Sequence, residues 1–325
     1  MADVIDAHAH FVPRNLHAAV CADPVLRDVI GTSVLADGRE ALAMPGLDQV
    51  RAMPPALDSV QDSLRWLDER GIDRQIVGPW ADLFGYSLAP EEGERWCRIV
   101  NDLQLAELDG QPRLLPLAIL PLQDPARAIA EVQRVDGRGF VGVTIGCSAG
   151  KLELDDPALE PVWAELAERR LPVVMHPSFH AHETRTRDLG MPNAVGRPHD
   201  TDVAVARLVL SGTLARNPQT KLLLMHGGGS IPLLWGRLER NHVVTAGTSD
   251  PEFARECLWV DSVVYRPESL EFLVATMGPT RVLLGSDYPF PIQDPYPRQI
   301  IERSALSDDV RSGVLGRNAQ MLFNL

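Results

Sequence analysis

Eight short apolar runs, each closed by turn residues and separated by stretches of helical periodicity, restrict the fold of this chain more than any other feature. They lie at 4–11, 74–80, 114–122, 142–147, 172–177, 221–228, 258–265 and 281–289, and each has the length and composition of a buried strand. Between them the apolar spacing changes to that of helices. Val60, Leu64 and Leu67 share one helical face that should stop near Gly71. Asp156-Pro157 reads as an N-cap followed by proline in the first turn, ahead of a stripe made by Leu159, Val162, Trp163 and Leu166. Strand-then-helix alternation demands a mostly parallel sheet, and eight units favour closure into a (β/α)8 TIM barrel of the α/β class. The expectation is one domain over residues 1–325, with insertions at 12–57 after strand one and 178–200 after strand five. Connections of that length at the C-terminal mouth of a barrel usually form lids or substrate walls.

Composition excludes several function classes. The formal charge of −13, from 44 acidic residues against 31 Lys plus Arg, opposes binding to nucleic acid or anionic lipid. No apolar run is long enough to span a membrane and no secretory leader is visible, so neither is expected. Cys21, Cys97, Cys147 and Cys257 are scattered without a CxxC pair, which suits a reducing cytoplasm. No GxGxxG follows the first strand, and Gly227-Gly228-Gly229 lacks the Lys-Ser/Thr pair of a phosphate-binding loop.

Against this background, five residues at the ends of four runs point to metal chemistry: His8 and His10 in VIDAHAHF, His176 in PVVMHP, His226 in KLLLMHGGG and Asp287 in VLLGSDYPFP. Residues two apart on a strand share a face, so both imidazoles of His8-Ala9-His10 can reach one ion. A lone strand histidine is more often a hydrogen-bonded core residue than a ligand. Five such residues at one rim of one barrel are a different matter.

Several motifs then resemble the amidohydrolase superfamily, in its branch of 2-amino-3-carboxymuconate-6-semialdehyde decarboxylase-like enzymes. They are IDAHAHFVP at 5–13, LDERGID at 67–73, LPLQDP at 120–125, LDDPALEPVW at 154–163, HGGGSIP at 226–232, LLGSDYPFP at 283–291 and GRNAQMLF at 316–323. The resemblance implies that His8, His10, His176 and Asp287 ligate one divalent metal, zinc or alternatively manganese, with His226 as the neighbouring acid/base and Asp287 assisting. Related enzymes that bridge two metals carry a lysine at the end of strand four, whereas this chain reads Gly142 to Cys147 without one, so a single metal is expected.

The activity implied is non-oxidative decarboxylation of a small aromatic or unsaturated carboxylic acid. Hydrolysis of an amide, lactone or ester at the same centre is the alternative reading, and a non-catalytic metal-containing binding protein the third. By position, Arg51 would hold the substrate carboxylate, with Phe84 and Trp80 lining the pocket and His180 contacting substrate from the second insertion. Thr245 stands where the family carries a second substrate arginine, which argues against the original muconate dicarboxylate. The family also implies a homodimer.

Overall fold

The computed structural model describes residues 3–45, 51–178 and 184–325. Its eight barrel strands are β1 (Ile5–His10), β2 (Arg74–Gly78), β3 (Leu114–Ile119), β4 (Gly142–Ile145), β5 (Val173–Met175), β6 (Leu222–Leu224), β7 (Leu258–Asp261) and β8 (Val282–Leu283). They pair in chain order and every neighbouring pair is parallel. The first and last edges meet through Ala7 N donating to Leu284 O (2.8 Å), Asp287 N to His8 O (2.9 Å) and His10 N to Tyr288 O (2.8 Å). All eight expected strands are present.

The eighth ladder stops at Leu283, short of the run at 281–289, and Asp287 then turns the chain at φ 63. Residues 284–288 still close the barrel, but as hydrogen-bonded loop.

The helices follow local chemistry. In α1 (Val60–Arg70) the Ser59 hydroxyl accepts from Asp62 N at the start, and Gly71 ends the helix at φ 61, where a side chain would be strained. Val60, Trp66 and Leu67 form its buried face. The longest, α2 (Pro90–Leu108), buries Trp96 completely, worth roughly 2–3 kcal/mol of apolar burial. Next comes α3 (Pro125–Val135), capped by Asp124. Asp156 does cap the following element, but Pro157–Leu159 forms a tighter turn first and α4 begins one turn later, over Glu160–Glu168. The remaining barrel helices are α5 (Arg197–Leu210), α6 (Ile231–Val244), α7 (Pro267–Met277) and α8 (Asn318–Phe323). Among the described residues no helix is long and apolar enough to cross a membrane.

Both insertions carry structure of their own. The first holds a short helix, Leu16–Ala22, and an antiparallel hairpin of Gly31–Val34 with Glu40–Ala43, to which Arg51–Ala52 adds a short third strand. In the second, a wide helical turn at Pro192–Gly196 leads straight into α5, so helix occupies part of the stretch expected to be loop.

Candidate active site

Alternate residues of β1, Asp6, His8 and His10, lie on one face and are all buried. Asp6 anchors the lower layer. Its carboxylate accepts from Gln75 Nε2 (2.9 Å), Ser286 Oγ (2.5 Å) and His8 N (3.1 Å), which joins β1 to β2 and to the loop after β8. Burial pushes the Asp6 carboxyl up to about 6, against these hydrogen bonds.

Above this layer the five residues singled out in the sequence converge. His176 follows β5 immediately, His226 lies two residues beyond β6, and Asp287 follows β8. Ring centroids are 5.3 Å apart for His8 and His10, 5.3 Å for His8 and His176, and 4.9 Å for both His10–His176 and His176–His226. Asp287 divides its two oxygens. Oδ1 faces His10 Nε2 at 3.2 Å and His8 Nε2 at 3.4 Å, whereas Oδ2 faces His226 Nε2 at 3.6 Å. His226 and Asp287 hold φ values of 57 and 63, a region that non-glycine residues seldom adopt and that folds tend to retain at functional sites.

Two imidazoles are oriented from behind. His8 Nδ1 meets Asp261 Oδ2 at 2.5 Å, and His176 Nδ1 donates to Pro177 O at 2.8 Å, so the Nε2 of each looks into the centre. There His8 Nε2, His176 Nε2 and Asp287 Oδ2 are buried without a hydrogen-bond partner. Each such atom costs about 1–3 kcal/mol unless something in the site satisfies it, and a cation suits a set of imidazoles with one carboxylate. His8, His176, His226 and Asp287 each offer a ligand atom, all within 4.8 Å of one another. His10 stands beside this group through its contact with Asp287. The chain therefore fits a divalent metal.

Electrostatics agree with that fit. Despite burial, Asp287 is held well below the usual carboxylate range, chiefly by the charge on His8. His8 is opposed by burial but raised to about 10 by Asp287 and Asp261. Burial first, and neighbouring imidazoles second, hold His176 well below the usual range, leaving a neutral ring ready to coordinate.

Sequence reasoning missed Asp261, the last residue of β7. It is fully buried, and besides His8 it accepts from His226 N (3.0 Å), Gly227 N (2.7 Å) and Val263 N (3.1 Å). One carboxylate thus positions both a histidine of β1 and the turn that carries His226. Its signal was the one acid inside the seventh apolar run. Phe290 was also missed as an individual residue, although GSDYPFP contains it. Its ring lies 4.9 Å from that of His10.

The substrate candidates separate. Trp80 is buried, with its ring 6.1 Å from Phe290, and so belongs to the apolar wall beside His10. Phe84 stacks on Tyr86 at 5.6 Å, and the Tyr86 hydroxyl accepts from Gly146 N at 3.2 Å, which places both rings by the end of β4. Arg51 pairs with Leu42 through the backbone of the small sheet. Its side chain lies outside the described part, as does His180 altogether. Thr245 is exposed at the end of α6 and donates to Asn241 Oδ1 at 3.3 Å. Lys151 is exposed, in keeping with a solvated loop charge.

The sequence model of a family described as Amidohydrolase matches residues 5–325. The chain is 32% identical to a 2-amino-3-carboxymuconate-6-semialdehyde decarboxylase of Dictyostelium discoideum over 268 residues, covering 80% of this chain and 75% of the relative. In structure it is similar to 5-carboxyvanillate decarboxylase from Sphingomonas paucimobilis, at 26% identity and a TM-score of 0.82 with both chains fully covered. A 5-carboxyvanillate decarboxylase from Novosphingobium aromaticivorans, complexed with manganese and 4-hydroxy-3-methoxy-5-nitrobenzoic acid, shares the fold at 18% identity and a TM-score of 0.81. That comparison covers all of this chain and 96% of the other.

Proposed function

The chain belongs to the amidohydrolase family, and from that premise we propose that His8, His10, His176 and Asp287 hold one divalent metal while His226 moves the proton in a non-oxidative decarboxylation. The enzyme is a metal-dependent carboxy-lyase acting on a small aromatic or unsaturated acid. Convergence of the five residues at the barrel mouth carries this reading.

The division of Asp287 supports the assignment of roles. Ligand atoms about 2.1 Å from one ion stand roughly 3–3.5 Å from each other. Asp287 Oδ1 meets both β1 histidines at such distances, whereas His226 addresses the other oxygen. His226 is also 14% exposed, more than His8 or His10, so it borders the space that substrate enters. A bound metal would polarise a substrate oxygen and orient the acid.

His226 then delivers a proton to the carbon bearing the carboxylate. The C–C bond breaks, its electron pair returns to the unsaturated system left electron-poor by protonation, and carbon dioxide leaves. Trp80, Phe84 and Phe290 exclude water from the reacting carbon, while Arg51 holds the carboxylate and His180 contacts the substrate. Three imidazoles and a carboxylate suit zinc, and manganese is accepted by the same donors. The reading includes one barrel domain over residues 1–325, a homodimer, and a reducing cytoplasmic setting that suits four free cysteines.

The test is product analysis in oxygen-18 water, with the metal-loaded protein, of hydroxylated benzoates and in parallel of aromatic esters, lactones and amides. Metal-dependent release of carbon dioxide without label in the aromatic product is expected. A labelled carboxylate released from an ester, lactone or amide would establish hydrolysis, and no turnover on acids, esters, lactones or amides would favour a binding protein.

A further inference from the structure

Beyond β7 the chain reads Ser262-Val263-Val264-Tyr265, and this loop is clamped on two sides. Val263 N donates to Asp261 Oδ1 at 3.1 Å, and a Cβ on Gly285, at the end of β8, would sit 3.2 Å from Val263 Cγ2. A Cβ on Gly227, next to His226, would sit 2.6 Å from Val264 Cγ1. The loop therefore rests on the turn that carries His226. Tyr265 then holds φ 60, a conformation that a bulky side chain adopts only where its surroundings impose it.

The side chain of Tyr265 crosses to the loop leaving β8, where its hydroxyl donates to Ile292 O at 2.9 Å. Ile292 stands at the exposed crest of the segment that follows Asp287. That segment is folded on itself by Phe290 N donating to Asp287 O (3.2 Å), Gln293 N to Phe290 O (2.9 Å) and Asp294 N to Ser286 O (2.8 Å). These three bonds are internal to the loop, whereas Tyr265 ties its crest to a different element. Just before the crest, the Phe290 ring packs beside His10 and Trp80. One phenol thus connects the His226 side of the mouth to its aromatic wall.

We propose that Tyr265 is a positioning residue: its hydroxyl latches the loop after β8 to the loop after β7, and so holds Phe290 at a fixed distance from His226 as the wall on which the ring of the acid lies. The inference rests on the lyase reading for the step that the wall serves, but the latch and the binding of an aromatic acid do not depend on which bond is broken.

Tyr265→Phe removes the latch and keeps the ring. In the manganese-loaded full chain, hydrogen exchange of the peptide spanning 286–296 is expected to quicken about three- to tenfold, as the loss of one hydrogen bond warrants, with peptides of β6 and β7 unchanged. Isothermal titration should show benzoate bound about three- to tenfold more weakly at unchanged metal content. On an acid that the parent decarboxylates, kcat should fall about tenfold or more, since the reacting carbon loses its alignment with His226. Unchanged exchange at 286–296, exchange that quickens throughout the barrel, benzoate bound alike by both proteins or by neither, or an unchanged kcat overturns the proposal. Tyr265-dependent benzoate binding in a protein that decarboxylates nothing would sink the lyase reading and leave this one standing.

Discussion

Replacing Asp261 by Asn changes one atom behind the metal centre and should weaken metal binding through a tautomer switch. Asp261 Oδ1 accepts from two backbone donors, Gly227 N and Val263 N, whereas Oδ2 meets His226 N and His8 Nδ1. The amide NH2 will therefore take the Oδ2 side, where it opposes only one obligatory donor. From there it donates to His8 Nδ1, the proton moves to Nε2, and the lone pair facing the centre is lost. Loss of such a partner typically costs about 10–100-fold in metal affinity, or about 1.4–2.8 kcal/mol. The unsatisfied His226 N–H adds about 1–3 kcal/mol of lost stability, with or without metal. Competition with a chromogenic chelator reads the first effect, and thermal unfolding of the metal-free proteins reads the second. If Asp261→Asn binds metal as tightly as the parent, the orienting role assigned to Asp261 is wrong.

Other outcomes follow from the same geometry. Because the metal-free His8 is raised to about 10, loading metal at neutral pH should release about one proton per chain, and apparent affinity should rise with pH through neutrality. Calorimetry in buffers of different ionisation enthalpy reads this proton, and a pH-independent affinity would refute the charge state given to His8. His176→Ala and His10→Ala should lose metal by elemental analysis. His226→Asn should keep it while turnover falls about 10²–10⁴-fold, whereas loss of metal in His226→Asn with retention in His10→Ala would reverse their roles. Arg51→Ala should raise KM for the acid more than it lowers kcat, and unchanged kinetics would remove Arg51 from the site.

The barrel was legible because a buried parallel strand leaves a run of apolar residues closed by turn signals, and all eight runs carried them. Strand ends were less visible. The last run looks continuous to Pro289, yet a left-handed Asp287 interrupts it, and backbone angles of non-glycine residues leave no mark in composition. His8, His10, His176, His226 and Asp287 stood out because histidine at a strand end is chemically conspicuous. Asp261 did not, since it lies inside the run at 258–265 and the strand's end there is set by tertiary pairing rather than by a turn residue.

Closure of the barrel through residues 284–288 has a consequence for biogenesis. His10 and Asp287, which face each other across the seam, are separated by 277 positions in the chain. A ribosome-bound intermediate that exposes the first seven strands has the β1 histidines but neither Asp287 nor the Ser286 hydroxyl that joins Asp6. Contacts of such sequence separation form late, after the loop-closure entropy has been overcome. Metal capture that needs Asp287 should then coincide with locking of the seam, and refolding yield measured with and without added divalent metal checks this.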